Sequence, residues 1–393
     1  VIQSVPLKDL AEFDPPVPKD AHRSSDELVA FMPMADLLAE NSVAKPKQVR
    51  KALEVVNGYS YFQDGDVLIA KITPCFENGK VALAQVEQEH GFGTTEFHVV
   101  RAHSDKLFPK YLTHFLRQRW IIAEGERKMT GSAGQRRIPR HFLQNLRIPL
   151  PPIEEQRRIA AILDKAEALR ARRRQALAKL DTLTQSLFLE MFGDPASNPQ
   201  KWPIVSLEDV IHSASDGPHV SPSYSDGGIP FLSTRHIRAG QVVWEDMKFI
   251  SPEDAQIQWK KCKPAKGDVL YTKGGTTGLA AVIDFDEPIA VWVHVALLKP
   301  VNSKVDSFWL TAMLNTHYCY VQSQRFTHGI ANRDLGLTRM TKIKLYLPPL
   351  GRQKEYVRMY GDIKRLRIKA RLSLSKFDIA FLSLQHRAFR GEL

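Results

Sequence analysis

The sequence predicts a mixed α/β protein in which two pseudo-repeated globular α/β domains alternate with two long helices. Three observations carry this. Residues 153–192 contain no glycine or proline and keep one apolar spacing throughout. Leu150-Pro151-Pro152 recurs 197 residues later as Leu347-Pro348-Pro349. The stretch after the second triplet keeps the same spacing as the stretch after the first. A repeat of such long period means that one unit, a domain followed by a helix, occurs twice.

The first domain is expected at 1–152. It opens on Val5-Pro6-Leu7-Lys8-Asp9-Leu10, which Val205-Ser206-Leu207-Glu208-Asp209-Val210 echoes at an offset of 200. Asp64-Gly65-Asp66-Val67-Leu68 matches Lys266-Gly267-Asp268-Val269-Leu270 at 202. Each is a Gly-Asp turn entering an apolar strand. Amphipathic helices are expected at 107–120 and 307–321. The offsets drift by only a few residues, so insertions between the copies are small.

The first long helix, 153–192, follows a proline pair and ends at Gly193-Asp194-Pro195, as helix entry and exit chemistry favours. Glu154 and Glu155 complement the helix dipole in its first turn. Ile159, Ile162, Ala166, Leu169, Arg173, Ala176, Leu180, Leu183 and Leu187 recur at steps of three and four. That is a coiled-coil register roughly 55–60 Å long, with Arg173 as its polar intrusion. The second domain is expected at 193–349 and the second helix at 350–393. Its seam is Tyr356, Met359, Ile363, Leu366, Ala370, Ser373, Phe377, Ala380 and Leu384. Antiparallel pairing with matched ends sets Ala166 opposite Phe377, Arg173 opposite Ala370 and Leu180 opposite Ile363. A second apolar line (Leu163, Leu177, Met191; Tyr360, Leu374, Phe381) lies beside the seam and offers surface for partner subunits or for the chain's own domains.

Composition narrows the function. Apolar content of 43% and charged content of 25% are ordinary for a globular protein. No apolar run reaches transmembrane length, and no signal peptide is expected. Cys75, Cys262 and Cys319 are widely spaced, with no metal-binding pattern, which fits a reducing cytoplasm. The net charge of +12 favours a polyanion, most simply nucleic acid. There is no GxxxxGK[ST] phosphate loop. Asp14-Pro15-Pro16-Val17 approaches the amino-methyltransferase tetrapeptide but lacks the aromatic that stacks on a flipped base. No catalytic residue, metal or cofactor is therefore expected.

Two basic loops stand at equivalent places before the proline pairs: RKMTGSAGQRRIPR at 127–140 and RFTHGIANRDLGLTR at 325–339. Small polar residues beside arginine suit contacts with phosphates and base edges. The candidate DNA contacts are Lys47, Arg50, Lys51, Lys71, Arg136, Arg137 and Arg140 in the first domain. In the second they are His219, Tyr224, Arg235, Lys273, Thr276, Asn332 and Arg333.

The whole chain resembles the specificity subunit of type I restriction–modification systems. The resemblance is carried by LPPIEEQRRIAAILD and its heptads, the LFLEMFGD ending at 187–194, ITPCFENGK at 72–80, and the DGPH…GIPFL run at 216–232. It implies two target recognition domains, each reading half of a bipartite double-stranded DNA site, on a spacer of two antiparallel helices. It also implies two methyltransferase (M) subunits as partners, endonuclease/translocase (R) subunits held through them, and a bacterial or archaeal cytoplasm. The subunit itself would carry no chemistry. Residues 14–26 are not a clean copy of the DGPH run, so no contacts are transferred there. The competing readings are a self-contained DNA-modifying enzyme and a coiled-coil interaction protein with no DNA role.

Overall fold

The computed structural model describes residues 3–18, 27–132, 134–219, 222–329 and 333–393. The chain forms two compact units, one of residues 1–176 with 370–393 and the other of residues 177–369. Each long helix therefore contributes to both units, whereas the sequence suggested contiguous domains with the helices set apart.

Unit one holds a five-stranded sheet in the order Ala11–Phe13, Phe97–Ala102, Val67–Ala70, Val81–Ala84, Val43–Ala44. A four-stranded sheet has the order Gln48–Lys51, Leu28–Met32, Gly91–Gly93, Ser60–Phe62. Ser4–Pro6 pairs with Arg147–Pro149. Unit two repeats the plan. One sheet runs Ile211–Asp216, Val295–Pro300, Val269–Thr272, Ala280–Val282, and the other runs Tyr224–Ser225, Lys248–Ile250, Ile229–Leu232, Ala290–Val291. Ile204–Ser206 pairs with Lys344–Tyr346.

The expected Gly-Asp turns lead into the buried strands Val67–Ala70 and Val269–Thr272. Asp66 accepts the Gln63 N–H and a two-pronged bond from Arg101 at 2.9 and 2.7 Å. Asp268 accepts the Ala265 N–H and meets Lys299 at 2.6 Å. In both copies a carboxylate closes the turn and is neutralised from the neighbouring strand.

The shorter helices differ from expectation. The segment expected as one helix at 107–120 is split into Pro109–Leu116 and Arg119–Lys128. Its counterpart is split into Ser307–Leu314 and His317–Phe326. In the second copy Thr316 takes an extended backbone and its hydroxyl accepts from Cys319 N–H. It caps a new helix rather than continuing the old one.

The long helices span Ile153–Phe192 and Leu350–Ala388. Each is anchored at its start by a fully buried glutamine. Gln156 accepts the Phe108 N–H and donates to the carbonyls of Lys106 and Pro151, all at 2.9 Å. Gln353 accepts from Asp306 at 2.9 Å and donates to Lys304 at 3.2 Å and Pro348 at 2.8 Å. Each glutamine ties the helix to the loop that starts the split helix pair.

In unit one Ile159, Ala160 and Leu163 share a core with Phe381, Ala388 and Phe389. In unit two Leu187, Phe188, Met191 and Phe192 share a core with Tyr356 and Ile363, and Leu180 packs against it. Each unit adds a charged contact between its two helix segments. Arg170 binds Asp378 at 2.7 Å and lies over the Phe381 ring. Within unit two, Arg367 lies 3.4 Å from Asp181.

The seam read from the heptads holds at Ile159, Leu180, Leu187 and Ile363 and is corrected at four positions. Leu169, Leu183, Met359 and Leu366 are 48%, 45%, 38% and 55% exposed. Ile162, Phe377 and Leu384 are half-buried, while Ile159, Leu187 and Ile363 are buried. The inward face passes through Leu163 and Met191, on the second apolar line. Arg173 covers Phe377, the residue expected opposite Ala166 seven positions earlier. Apolar counting missed this because Arg170 and Asp181 take part through their charges, and arginine also lays an apolar stem along its neighbour.

Candidate nucleic-acid interface

In each unit the strand after the Gly-Asp turn runs into a loop that is stitched to a short hairpin. In unit one Lys71 N–H donates to Glu96 O at 2.8 Å, and Ile138 N–H donates to Lys71 O at 2.8 Å. Thr130 and Arg137 exchange backbone bonds of 3.0 and 2.8 Å, closing the hairpin. In unit two Lys273 N–H donates to His294 O at 2.9 Å, and Leu335 N–H donates to Lys273 O at 2.7 Å. His328 and Asp334 close that hairpin with bonds of 2.9 and 2.8 Å. The two basic loops therefore occupy the same place in the two copies.

The side chains differ. In unit one Arg137 makes a forked contact with Glu96 at 2.7–3.2 Å, and Arg136 lies 3.5 Å from Glu77. The Arg137 bond holds the Glu96 carboxyl below its usual range. Arg140 reaches Asp14 at 2.6 Å, and His98 bridges Asp14 at 3.3 Å and the Ile138 carbonyl at 3.0 Å. Burial pushes the Asp14 carboxyl up, but bonds from His98 and the Val99 N–H bring it below the usual range. Lys71 is half-buried and makes no side-chain ion pair among the described residues. Arg136, Arg137 and Arg140 thus form one cluster with Lys71, each arginine leaning on a carboxylate that leaves donors to spare.

In unit two the lysine has another role. Lys273, singled out as a DNA contact, is 5% exposed. Its Nζ lies 3.2 Å from Asp216 and 3.4 Å from Asp334. A buried ammonium held by two carboxylates has no free face for a phosphate, so it is corrected to a structural residue. Lys261 reaches the other oxygen of Asp216 at 2.5 Å. Burial raises the Asp216 carboxyl, and the two lysines outweigh it and bring it below the usual range. Gly274 follows at a close approach: a Cβ there would stand 2.1 Å from His294 Nδ1. Thr276 and Arg333 are exposed beside this loop, and Arg333 donates to Gln324. Asn332 lies outside the described residues.

The remaining candidates fall elsewhere. Lys47 and the strand residues Arg50 and Lys51 lie on or beside the edge strand Gln48–Lys51, with Arg50 stacked 3.7 Å over Phe31. Tyr224 is on an edge strand under Lys248, 4.2 Å from its ring centroid. Arg235 is exposed in the Thr234–His236 turn, and His219 is exposed three residues beyond Asp216.

Sequence reasoning missed the carboxylates that hold these loops. Asp14 ends the segment from Ala11–Phe13, as Asp216 ends Ile211–Asp216, and each faces the neighbouring long strand. Their offset, 202, is that of Lys71 and Lys273. A proline two residues on, Pro16 or Pro218, was the available signal.

A duplicated α/β lobe with a basic hairpin at one fixed place, and two long helices that each contribute to both units, define a two-module architecture. The chain belongs to the family of the type I restriction modification DNA specificity domain, whose model matches residues 2–180 and 199–371. It is 41% identical over 154 residues to the type I restriction enzyme EcoAI specificity subunit of Escherichia coli, and 37% identical over 183 residues to the EcoEI subunit. These alignments cover 39% and 46% of this chain but only 26% and 30% of those relatives' length. The E. coli K12 EcoKI specificity subunit is 23% identical over 352 residues, covering 80% of this chain and 72% of that one. A solved structure from work on complex assembly of the type I R-M system has the same fold, with TM-score 0.63, 20% identity and coverage of 100% and 98%. The S subunit from M. genitalium gives TM-score 0.59 at 13% identity, covering 98% and 96%. No helix among the described residues is long and apolar enough to cross a membrane.

Proposed function

We propose that this chain is the sequence-specific DNA-binding subunit of a type I restriction–modification complex, working in the cytoplasm of a bacterium or archaeon. Residues 1–152 and 193–349 serve as target recognition domains, each reading one half of a bipartite, asymmetric DNA site. The helices 153–192 and 350–393 act as a coiled-coil spacer that sets the distance between the halves. Chemistry is supplied by two methyltransferase subunits and, through them, by endonuclease subunits.

The observation that carries this reading is the repeated loop-and-hairpin with unlike side chains. Lys71, Arg136 and Arg137 offer donors on this frame in one copy, and Thr276 and Arg333 do so in the other, where Lys273 is buried against Asp216 and Asp334. One backbone frame with two sets of donors suits two different half-sites, because phosphate contacts fix register while base-edge contacts specify. The exposed apolar residues Leu169, Leu366, Leu372 and Ile379, 48–68% exposed on the long helices, support a partner-binding role for the spacer.

The test is an exchange of residues 201–349 for the matching domain of another family member, followed by mapping of methylated adenines in cells that carry the methyltransferase. The second half-site is expected to change to the donor's sequence, with the first half-site and the spacing retained. A change in the first half-site would overturn modular reading. Turnover by the purified chain alone with S-adenosylmethionine or Mg²⁺ would instead favour a self-contained enzyme.

A further inference from the structure

In unit one the strands Leu28–Met32 and Gly91–Gly93 run parallel, with Ala30 beside Gly91. Parallel neighbours begin at the same edge, so the residues preceding each strand converge. Glu27 precedes one strand, and Glu89 and His90 precede the other. One ligand-capable atom from each of these three residues lies within 4.8 Å of the other two. Sequence spacing gave no sign of this, because 27 and 89 are joined only by strand pairing.

Two features make the cluster more than adjacent acids. His90 is 3% exposed, and its Nδ1 lies 3.1 Å from the Tyr61 hydroxyl. With Nδ1–H donating to that hydroxyl, the ring is oriented and the Nε2 lone pair, which has no hydrogen-bond partner among the described residues, is left for a ligand. A hydrogen bond on the other ring nitrogen is what ligating histidines ordinarily have. Neither Glu27 nor Glu89 is in an ion pair among the described residues. Two carboxylates beside a buried imidazole are a donor set that suits a cation between them. The platform is also stiff. His90 O accepts from Ala30 N–H at 3.0 Å, and a Cβ on Gly91 would stand 2.5 Å from the Phe62 ring.

We propose that Glu27, Glu89 and His90 bind one divalent transition cation of the zinc class, which staples the starts of the two strands. An imidazole with two carboxylates suits Zn²⁺ or Mn²⁺. Ligand bonds of about 2.0–2.2 Å place donor atoms roughly 3.3 Å apart in a tetrahedral site. The exposed Glu89 reaches that spacing by side-chain rotation, and water completes the shell. The cation is structural: it ties unit one together and places positive charge where two carboxylates would otherwise repel a polyanion.

The test uses the full chain stripped with a chelator and dialysed against ZnCl₂, with MnCl₂ and MgCl₂ in parallel. Metal content and melting temperature are measured for the wild type, the double variant Glu27→Gln/Glu89→Gln, His90→Gln and Tyr61→Phe. The wild type is expected to hold one more zinc per chain than the double variant. Its lower-melting or unit-one transition should rise by several degrees with zinc, a rise the double variant lacks. Tyr61→Phe should weaken binding about tenfold. The carboxylate variants lie at the surface and keep the fold measurable if His90→Gln does not, with circular dichroism as the check. Equal zinc content in the wild type and the double variant, or a wild-type melting temperature indifferent to zinc, would overturn the site.

Discussion

Lys273 Nζ sits 3.2 Å from Asp216 Oδ2 at the floor of the unit-two loop, with both side chains only 7% exposed. Lys71, at the matching position of unit one, has no such partner among the described residues. Lys273→Met is therefore expected to destabilise unit two by about 2–3 kcal/mol, because it strips one cation from a buried carboxylate that retains Lys261. Lys71→Ala should cost little stability and weaken DNA binding on all sequences. Denaturant unfolding and a binding assay on the same two variants check both halves. Equal stability losses would mean that the two lysines play one role.

Acid should unfold the protein through its paired aspartates. Asp14, Asp164 and Asp216 are all held below the ordinary carboxylate range. For Asp164 burial again opposes, and bonds from His114 and Lys110 prevail. A depressed pKa contributes stability above the unfolded value, near 3.8, that is lost as pH falls through the folded value. Stability should hold from neutrality to about pH 5 and fall steeply below pH 4. Asp216→Asn should flatten that acid limb for unit two, as measured by unfolding between pH 6 and 2.5.

Removal of Gln156 or Gln353 should be felt locally. Each bridges one N–H and two carbonyls at a helix start, and alanine leaves those groups buried without partners. The expected loss is about 2–3 kcal/mol in the unit concerned. Hydrogen exchange should show new opening at 106–108 for Gln156→Ala and at 304–306 for Gln353→Ala. Protection lost equally in both units by either variant would contradict this.

The outward leucines give a test of assembly. Leu169→Glu and Leu366→Glu change side chains that are 48% and 55% exposed. Melting temperatures should move by no more than a degree or two, as surface changes do. Co-purification with methyltransferase subunits should drop markedly. If a variant instead unfolds, the leucine belongs to a packed seam, as the heptads suggested.

Variants at Arg136 and Arg137 test positioning against reading. If a guanidinium touches phosphate, alanine lowers the salt slope by about one for each charge. If it reads a base edge, the loss is about 1–3 kcal/mol and confined to one half-site. Glu96→Gln frees Arg137 from its fork, and tighter but less selective binding is the expected result.

The two-copy plan and both long helices were legible because they are written in residues that repeat: the proline pairs, the Gly-Asp turns and the three-four spacing. The limits 153–192 match the helix found. The helix faces were harder to read. Leu169 and Leu366 share a heptad register with buried Ile159 and Ile363, and only the charge pairs Arg170–Asp378 and Arg367–Asp181 reveal which way the helices turn. The role of Lys273 was hidden for a similar reason. Its burial depends on Asp216 and Asp334, which are distant in sequence. Glu27 and His90 meet through a parallel strand pair that no local pattern announces.

Because residues 370–393 complete the core of unit one, the order of synthesis and the order of completion are reversed. Unit two is one continuous segment, 177–369, and has all its residues before the ribosome makes residues 370–393. Unit one, begun first, must wait for Phe381, Ala388 and Phe389. A nascent chain should therefore carry a provisional first lobe beside a finished second one. Emergence of residues 370–393, rather than of its own strands, becomes the event that closes the first lobe.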